Sequence, residues 1–220
     1  AYTRARVSAQ VIAAVVVIGF QRAAFSNEAG VGSAPIAHSA VKTTRPVSEG
    51  FVALLEPFID TVIICTMTAL TIVIADTTFY NEAQETVREG GAAPDGVVVT
   101  SRAFETVLPW FPVVLAIAVV LFAFSTMLSW AYYGMKALGY LFGNSPQAEN
   151  AYKLIFLGFT VLGSAAALGT VINFSDSMIF LMSLPNVIGL YLLANVIRGE
   201  FTHYHDRVKS GEIKEFADRH

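Results

Sequence analysis

The chain has 220 residues, 55% of them hydrophobic and only 14% charged, with a mean hydropathy of +0.58. Soluble domains carry roughly a quarter charged residues, so the composition argues against a water-soluble fold, and a formal charge of −3 argues against a nucleic-acid partner. Residues 106–135, 154–175 and 177–197 contain no Asp, Glu, Lys or Arg, and each window can cross a hydrocarbon core at about 1.5 Å per residue, which predicts an all-α polytopic membrane protein.

The first predicted element is a broken helix over about 7–44. An apolar run at 7–24 leads into FSNEAGVGSAP, residues 25–35, and a second helical run is expected at about 31–41. Asn27, Glu28, Gly30 and Gly32 therefore fall inside a hydrophobic passage. In hydrocarbon, irregular backbone persists only where it is buried in protein or lines a water-filled cavity. Glycines reinforce the break because they expose backbone and cost helix stability. Half-helix ends and free backbone groups at membrane depth can hold a zwitterion or a cation. A simple kink or a re-entrant packing element is the alternative; the polar Asn27 and Glu28 weigh against it, since intramembrane polar groups are expensive to keep. GVGS is a poor phosphate loop, because it lacks the Lys and no strand precedes it.

Four further helices are expected at 51–75, 107–134, 152–172 and 177–197, with NFSD as a tight turn between the last two. None of these segments shows the alternation of a strand. Residues 76–105 form a hydrophilic loop with six acids (Asp76, Glu82, Glu85, Glu89, Asp95, Glu105) against Arg88 and Arg102. Lys42, Arg45, Lys136, Lys153 and the tail bases Arg198, Arg207, Lys209, Lys214 and Arg219 lie on the other side. The positive-inside rule then places the loop outside and the Lys42 segment and the 198–220 tail in the cytoplasm, with Arg4 and Arg6 against the trend.

The single Cys65 excludes an intrachain disulfide and reads as a small packing residue in VIICTMTAL. His203 and His205 have no third ligand nearby and read as solvated. Asn173-Phe-Ser175 matches a glycosylation sequon, but a turn this tight lies too close to the bilayer to serve as an acceptor. Nothing resembles a cleavable signal peptide. The chain opens with Ala1 and its first helix begins within a few residues, so a fragment lacking its N-terminal part is expected.

GFQRAAFSNEAGVGSAPIAHSAVKT resembles the signature of the sodium:alanine symporter family, the alanine or glycine:cation symporters. FIDTVIICTMTAL (58–70), LFAFSTMLSWAYYG (121–134), LFG (141–143) and SLPNVIGLYLL (183–193) follow in that family's order. The resemblance implies the second half of a leucine-transporter-type fold, with inverted repeats and broken helices around a midplane site. The broken helix would be the sixth, the next four the seventh to tenth, and the first five are not in this chain. It further implies Na⁺-coupled symport of alanine or glycine by alternating access in a bacterial inner membrane. No cofactor is implied beyond Na⁺ as coupling ion; the partners are the lipid bilayer and the missing N-terminal helices.

On that resemblance Phe25, Ser26, Asn27, Gly30 and Gly32 border the substrate, joined by Thr126 and Trp130, which stand four apart on one helical face. Trp130 would restrict the pocket to small side chains; packing or lipid contact is its alternative. Ser125 and Thr126 resemble the hydroxyl pair that coordinates Na⁺, and neutral oxygen ligands suit a monovalent ion that must leave again. Their alternative is bonding to carbonyls of their own helix.

Arg22, Glu28, Glu56 and Asp60 admit two readings: an ion pair of Arg22 with Asp60 or Glu28 that braces the break, which is preferred, or a part for Asp60 or Glu28 in ion coupling. His38 is expected to make a packing or loop contact, because a proton-coupling role requires it at the site. Proton coupling, another small solute, a channel, an intramembrane enzyme or an inactive fragment are the competing readings. The membrane units offer no nucleophile–base set and no repeat of the kind a selectivity filter needs.

Overall fold

The computed structural model describes residues 9–213. The expected helix start at residue 7, Arg4 and Arg6, and the tail bases Lys214 and Arg219 lie outside the described residues. Among the described residues all regular structure is helical: α1 (Ala9–Asn27), α2 (Ala34–His38), α3 (Pro46–Pro57), a π-helical segment (Phe58–Ile64), α4 (Cys65–Ala75), α5 (Thr78–Arg88), α6 (Gly96–Glu105), α7 (Phe111–Phe142), α8 (Pro146–Ala165) and α9 (Leu168–Lys209). Among the described residues three helical stretches are long and apolar enough to cross a membrane: Pro46–Ala75 at 30 residues, Phe111–Phe142 at 32 and Leu168–Lys209 at 42. Ile12–Asn27 is a shorter apolar helix.

The chain forms two compact units, one from the segments up to Pro57 and from Leu157 onward, the other from Phe58–Phe156. In the first unit α1 packs against α3 and α9, α2 against α3, and α3 against α9. Gln21 and Arg22 meet Asp176, and Gly30 and Gly32 meet Asn186, so the two paths advance together and α1 runs parallel to α9.

The burial pattern inverts that of a soluble domain. Among the described residues the buried apolar side chains are Val31, Ala103 and Ile179, and the buried polar ones are Asn27, Ser33 and Asp176. Large apolar side chains such as Phe20, Ile74 and Phe122 are exposed along the helices. Lipid tails are as apolar as Leu, so helices in a bilayer gain little by burying Leu against Leu. Polar groups, which have no partner in hydrocarbon, turn inward instead.

α3 ends at Pro57, whose ring displaces the carbonyl of the residue four before it and whose nitrogen carries no donor. The following seven residues wind as a π-helix, a wider turn often found at functional sites. Asp60 lies in this segment.

The second unit contains α4 to α7. The hydrophilic stretch 76–105 holds two helices rather than a plain loop. α4 stops where Asp76 adopts a left-handed φ of 42°, and Thr77 caps α5 by accepting the Tyr80 N–H at 3.1 Å. α6 packs against α4 and α7 and buries Ala103. The helix expected at 107–134 extends to Phe142 and ends at Gly143, with φ 84°. Gly134 lies so close to the Tyr152 hydroxyl that a side chain there would collide with it. Cys65, expected as a packing residue, is exposed.

The last turn is also displaced. NFSD lies inside α9, and the helical run is interrupted instead at Ala166 and Ala167, between α8 and α9. Ser177 Oγ donates to the Asn173 carbonyl at 2.8 Å, as a hydroxyl within a continuous helix does. Asp176 remains helical because its charge finds an internal partner in Arg22. The tail begins as the end of α9: Phe51 of α3 meets the rings of Phe201 and Tyr204 at 6.1 and 6.2 Å, and His205 stacks on Phe201.

A cavity at the interrupted helix

α1 runs three residues past the expected stop and ends at Asn27, whose Oδ1 accepts the Ala29 N–H at 3.0 Å. That side chain offers the backbone a non-helical partner at the break. Glu28, Gly30 and Gly32 then take positive φ values of 56°, 82° and 98°. For Glu28 this conformation costs roughly 1–3 kcal/mol, and the Val31 N–H donates to its carbonyl at 3.1 Å. α2 restarts at Ala34 with Pro35 in its first turn, where a missing N–H costs nothing.

α9 holds the break in place. Asn186 Nδ2 donates to the Gly30 carbonyl at 2.9 Å. A Cβ on Gly32 would stand 3.1 Å from the Asn186 side chain, which would have to give way, and the φ of 98° is one that L side chains rarely adopt. Further up, Gln21 Nε2 donates to Asp176 Oδ2 at 2.7 Å and Arg22 donates to the same oxygen. Arg22 thus pairs with Asp176, a partner outside the two considered from sequence, Asp60 and Glu28. The other oxygen, Asp176 Oδ1, and the Ser33 hydroxyl are buried without a hydrogen-bond partner among the described residues.

Between the break, α2, α3 and α9 lies a cavity of about 700 Å³. Asn27, Glu28, Gly30 and Gly32 line one side, Asn186 and Leu190 another, and His38, Glu49 and Glu56 a third. His38 Nδ1 lies 2.8 Å from Glu49 Oε1 and its Nε2 lies 3.4 Å from Glu56 Oε2. In place of the expected loop or packing contact, His38 meets two carboxylates on the cavity wall.

Three of the five site residues expected in the broken segment, Asn27, Gly30 and Gly32, line this cavity together. Phe25 and Ser26 sit on the last turn of α1 outside its lining, with Phe25 exposed and the Arg22 guanidinium 6.0 Å from its ring centroid. Ser125, Thr126 and Trp130 belong to α7 in the second unit. The Ser125 and Thr126 hydroxyls both donate to the Phe122 carbonyl, at 2.8 and 3.0 Å, which leaves their oxygen lone pairs facing away from the helix backbone. Trp130 is half-buried, edge-on to Tyr133 with ring centroids 5.9 Å apart. Among the described residues no three His, Cys, Asp or Glu side chains are placed to hold a metal ion.

Asn186, Asp176 and Glu49 were not singled out from sequence. Asn186 is the polar residue inside an apolar passage, a signal that was available. Asp176 is the acid separating two charge-free windows, which made it look like a turn.

Three long apolar helices and a shorter one interrupted beside a cavity define a helical membrane protein. The chain belongs to the sodium:alanine symporter family, which it matches over residues 1–218. It is 34% identical over 203 residues to the Sodium/alanine symporter AgcS of Methanococcus maripaludis, covering 92% of this chain and 42% of that protein. It is 34% identical over 201 residues to the Amino-acid carrier protein AlsT of Bacillus subtilis, 91% of this chain and 40% of that protein. With the Sodium/proton-dependent alanine carrier protein of Bacillus sp. strain PS3 the identity is 29% over 215 residues, 94% of this chain and 48% of that protein. The chain thus spans less than half the length of these relatives. No solved structure matches it. The family is one of transporters rather than enzymes.

Proposed function

We propose that the protein containing this chain carries out Na⁺-coupled symport of a small neutral amino acid, alanine or glycine, by alternating access. The observation that carries the reading is the interrupted helix, which brings Asn27, Gly30 and Gly32 to the wall of a largely apolar cavity. Unwound backbone and an amide able to donate and accept suit a zwitterion, which offers an ammonium and a carboxylate together. Family membership and the names of the relatives support the choice of Na⁺ and alanine; glycine rests on the likeness noted from sequence.

In this reading the chain is the second half of an inverted-repeat, broken-helix transporter, and the first five helices complete the site. Ser125 and Thr126 bind Na⁺, Thr126 and Trp130 border the substrate, and Trp130 limits side-chain size. With both hydroxyl protons held by the Phe122 carbonyl, the oxygens are left to meet a cation. Phe25 and Ser26 act from the end of α1. The membrane is the bacterial inner membrane, with the C-terminal tail in the cytoplasm.

Labelled alanine uptake into proteoliposomes containing the full-length protein tests the proposal, with and without a Na⁺ gradient under clamped potential. Uptake that follows the Na⁺ gradient is expected; uptake indifferent to Na⁺ would overturn it.

A further inference from the structure

The geometry points to a proton-binding site formed by His38, Glu49 and Glu56 on the wall of the cavity that the interrupted helix lines. The imidazole is flanked on both nitrogens, by Glu49 Oε1 at 2.8 Å and by Glu56 Oε2 at 3.4 Å. A neutral imidazole carries one N–H and one lone pair, so it satisfies one carboxylate and sets its lone pair against the other. Only when the three groups hold one proton beyond the neutral ring are both contacts attractive. A hydronium ion reaching the cavity supplies the proton: one of its O–H bonds breaks, an N–H bond forms at the free ring nitrogen, and neutral water is left.

The charge of the cavity argues the same way. Among the described residues its charged lining consists of Glu28, Glu49, Glu56 and His38, with no Lys or Arg. Both carboxylates facing the ring come from α3, the helix against which α2 packs; Glu28 lies at the break on the same cavity. A bound proton is the counter-charge that the lining itself does not supply.

The site also has a mechanical consequence. His38 is the last residue of α2, and Glu49 and Glu56 lie at the start and near the end of α3. The proton therefore ties the half-helix after the break to its neighbour, and its loss frees one of the two contacts. For transport, which rests on the symport reading above, this makes the position of α2 depend on cavity pH.

The test is ¹⁵N-imidazole NMR of the full-length protein in lipid, with His38→Gln to assign the resonance, alongside Na⁺-driven alanine uptake across pH. The titration midpoint of His38 is expected to fall in Glu49→Gln, and by less in Glu56→Gln, whose contact is longer. The pH profile of uptake moves with it. Midpoints unchanged in both variants overturn the site, as does a midpoint that follows Na⁺ concentration rather than the carboxylates. A moved midpoint with a stationary uptake profile overturns the link to transport. Uptake that never depended on Na⁺ overturns the symport reading instead and leaves the titration result standing.

Discussion

The side-chain amide of Asn186, in α9, donates to the carbonyl of Gly30 at 2.9 Å, and so binds a residue of the last long helix to the unwound turn of the first. A second bond, from Arg22 to Asp176, fixes the same two helices further up. The break is held from outside by α9 at two points, which is how a short irregular stretch keeps one geometry.

Asn186→Ala removes the donor and leaves the Gly30 carbonyl to find water. The net loss is about 1 kcal/mol, which predicts a roughly fivefold to tenfold fall in Vmax/KM for alanine uptake. Asn186→Asp should do worse, since a carboxylate sets acceptor against acceptor. Full uptake by Asn186→Asp would remove this role for the amide.

Gly32→Ala faces two costs, a φ of 98° that L side chains rarely adopt and a Cβ 3.1 Å from Asn186. Together they are worth roughly 1–3 kcal/mol, read as a lower melting temperature in detergent and lost uptake. Asn186→Ala in the Gly32→Ala background should ease only part of the crowding, since it removes Asn186 Cγ and Oδ1 but keeps the Cβ at 3.1 Å, and it leaves the backbone strain. Recovery in the double variant is therefore expected to be partial, and complete recovery would show that the φ carries no cost.

Arg22→Met leaves the buried Asp176 carboxylate with the Gln21 amide as its side-chain donor among the described residues. Removing one member of a fully buried pair costs about 3–5 kcal/mol; the Arg22 side chain is 48% exposed, so about 1–3 kcal/mol is expected here. Arg22→Met with Asp176→Leu removes both charges and should unfold at a higher temperature than Arg22→Met alone. The reverse order would mean that the ion pair does not brace these helices.

Ser125→Ala and Thr126→Val test the sodium assignment. Both hydroxyls bond within their own helix, so stability should change by less than about 0.5 kcal/mol. The Na⁺ concentration for half-maximal uptake is expected to rise at least about tenfold, the equivalent of one lost oxygen ligand at roughly 1.4 kcal/mol. An unchanged Na⁺ requirement in both variants would place the ion elsewhere.

Much of the architecture was legible along the chain because a bilayer imposes a simple rule. A helix must carry enough apolar residues to cross, and charge-free windows mark it without reference to anything else. The broken helix was legible for the same reason, since Asn27, Gly30 and Gly32 violate the rule locally. What local pattern could not resolve was a charge neutralised from afar. Asp176 looked like the end of a helix because nothing within its own segment compensates it, whereas Arg22, 154 residues away, does. His38 looked peripheral because Glu49 and Glu56 acquire meaning only when α2 lies on α3.

Composition, hydropathy windows and the FSNEAGVGSAP stretch determined that the protein is a helical membrane chain with one interrupted helix, since each of those properties depends on residues adjacent in sequence. Tertiary structure decided which partners satisfy the interruption: Asn186 for the Gly30 carbonyl, Asp176 for Arg22, and a cavity wall of His38, Glu49 and Glu56. Desolvated polar groups must be paired wherever a partner can be brought, and a partner a hundred or more residues distant is chosen by packing, which no local pattern encodes.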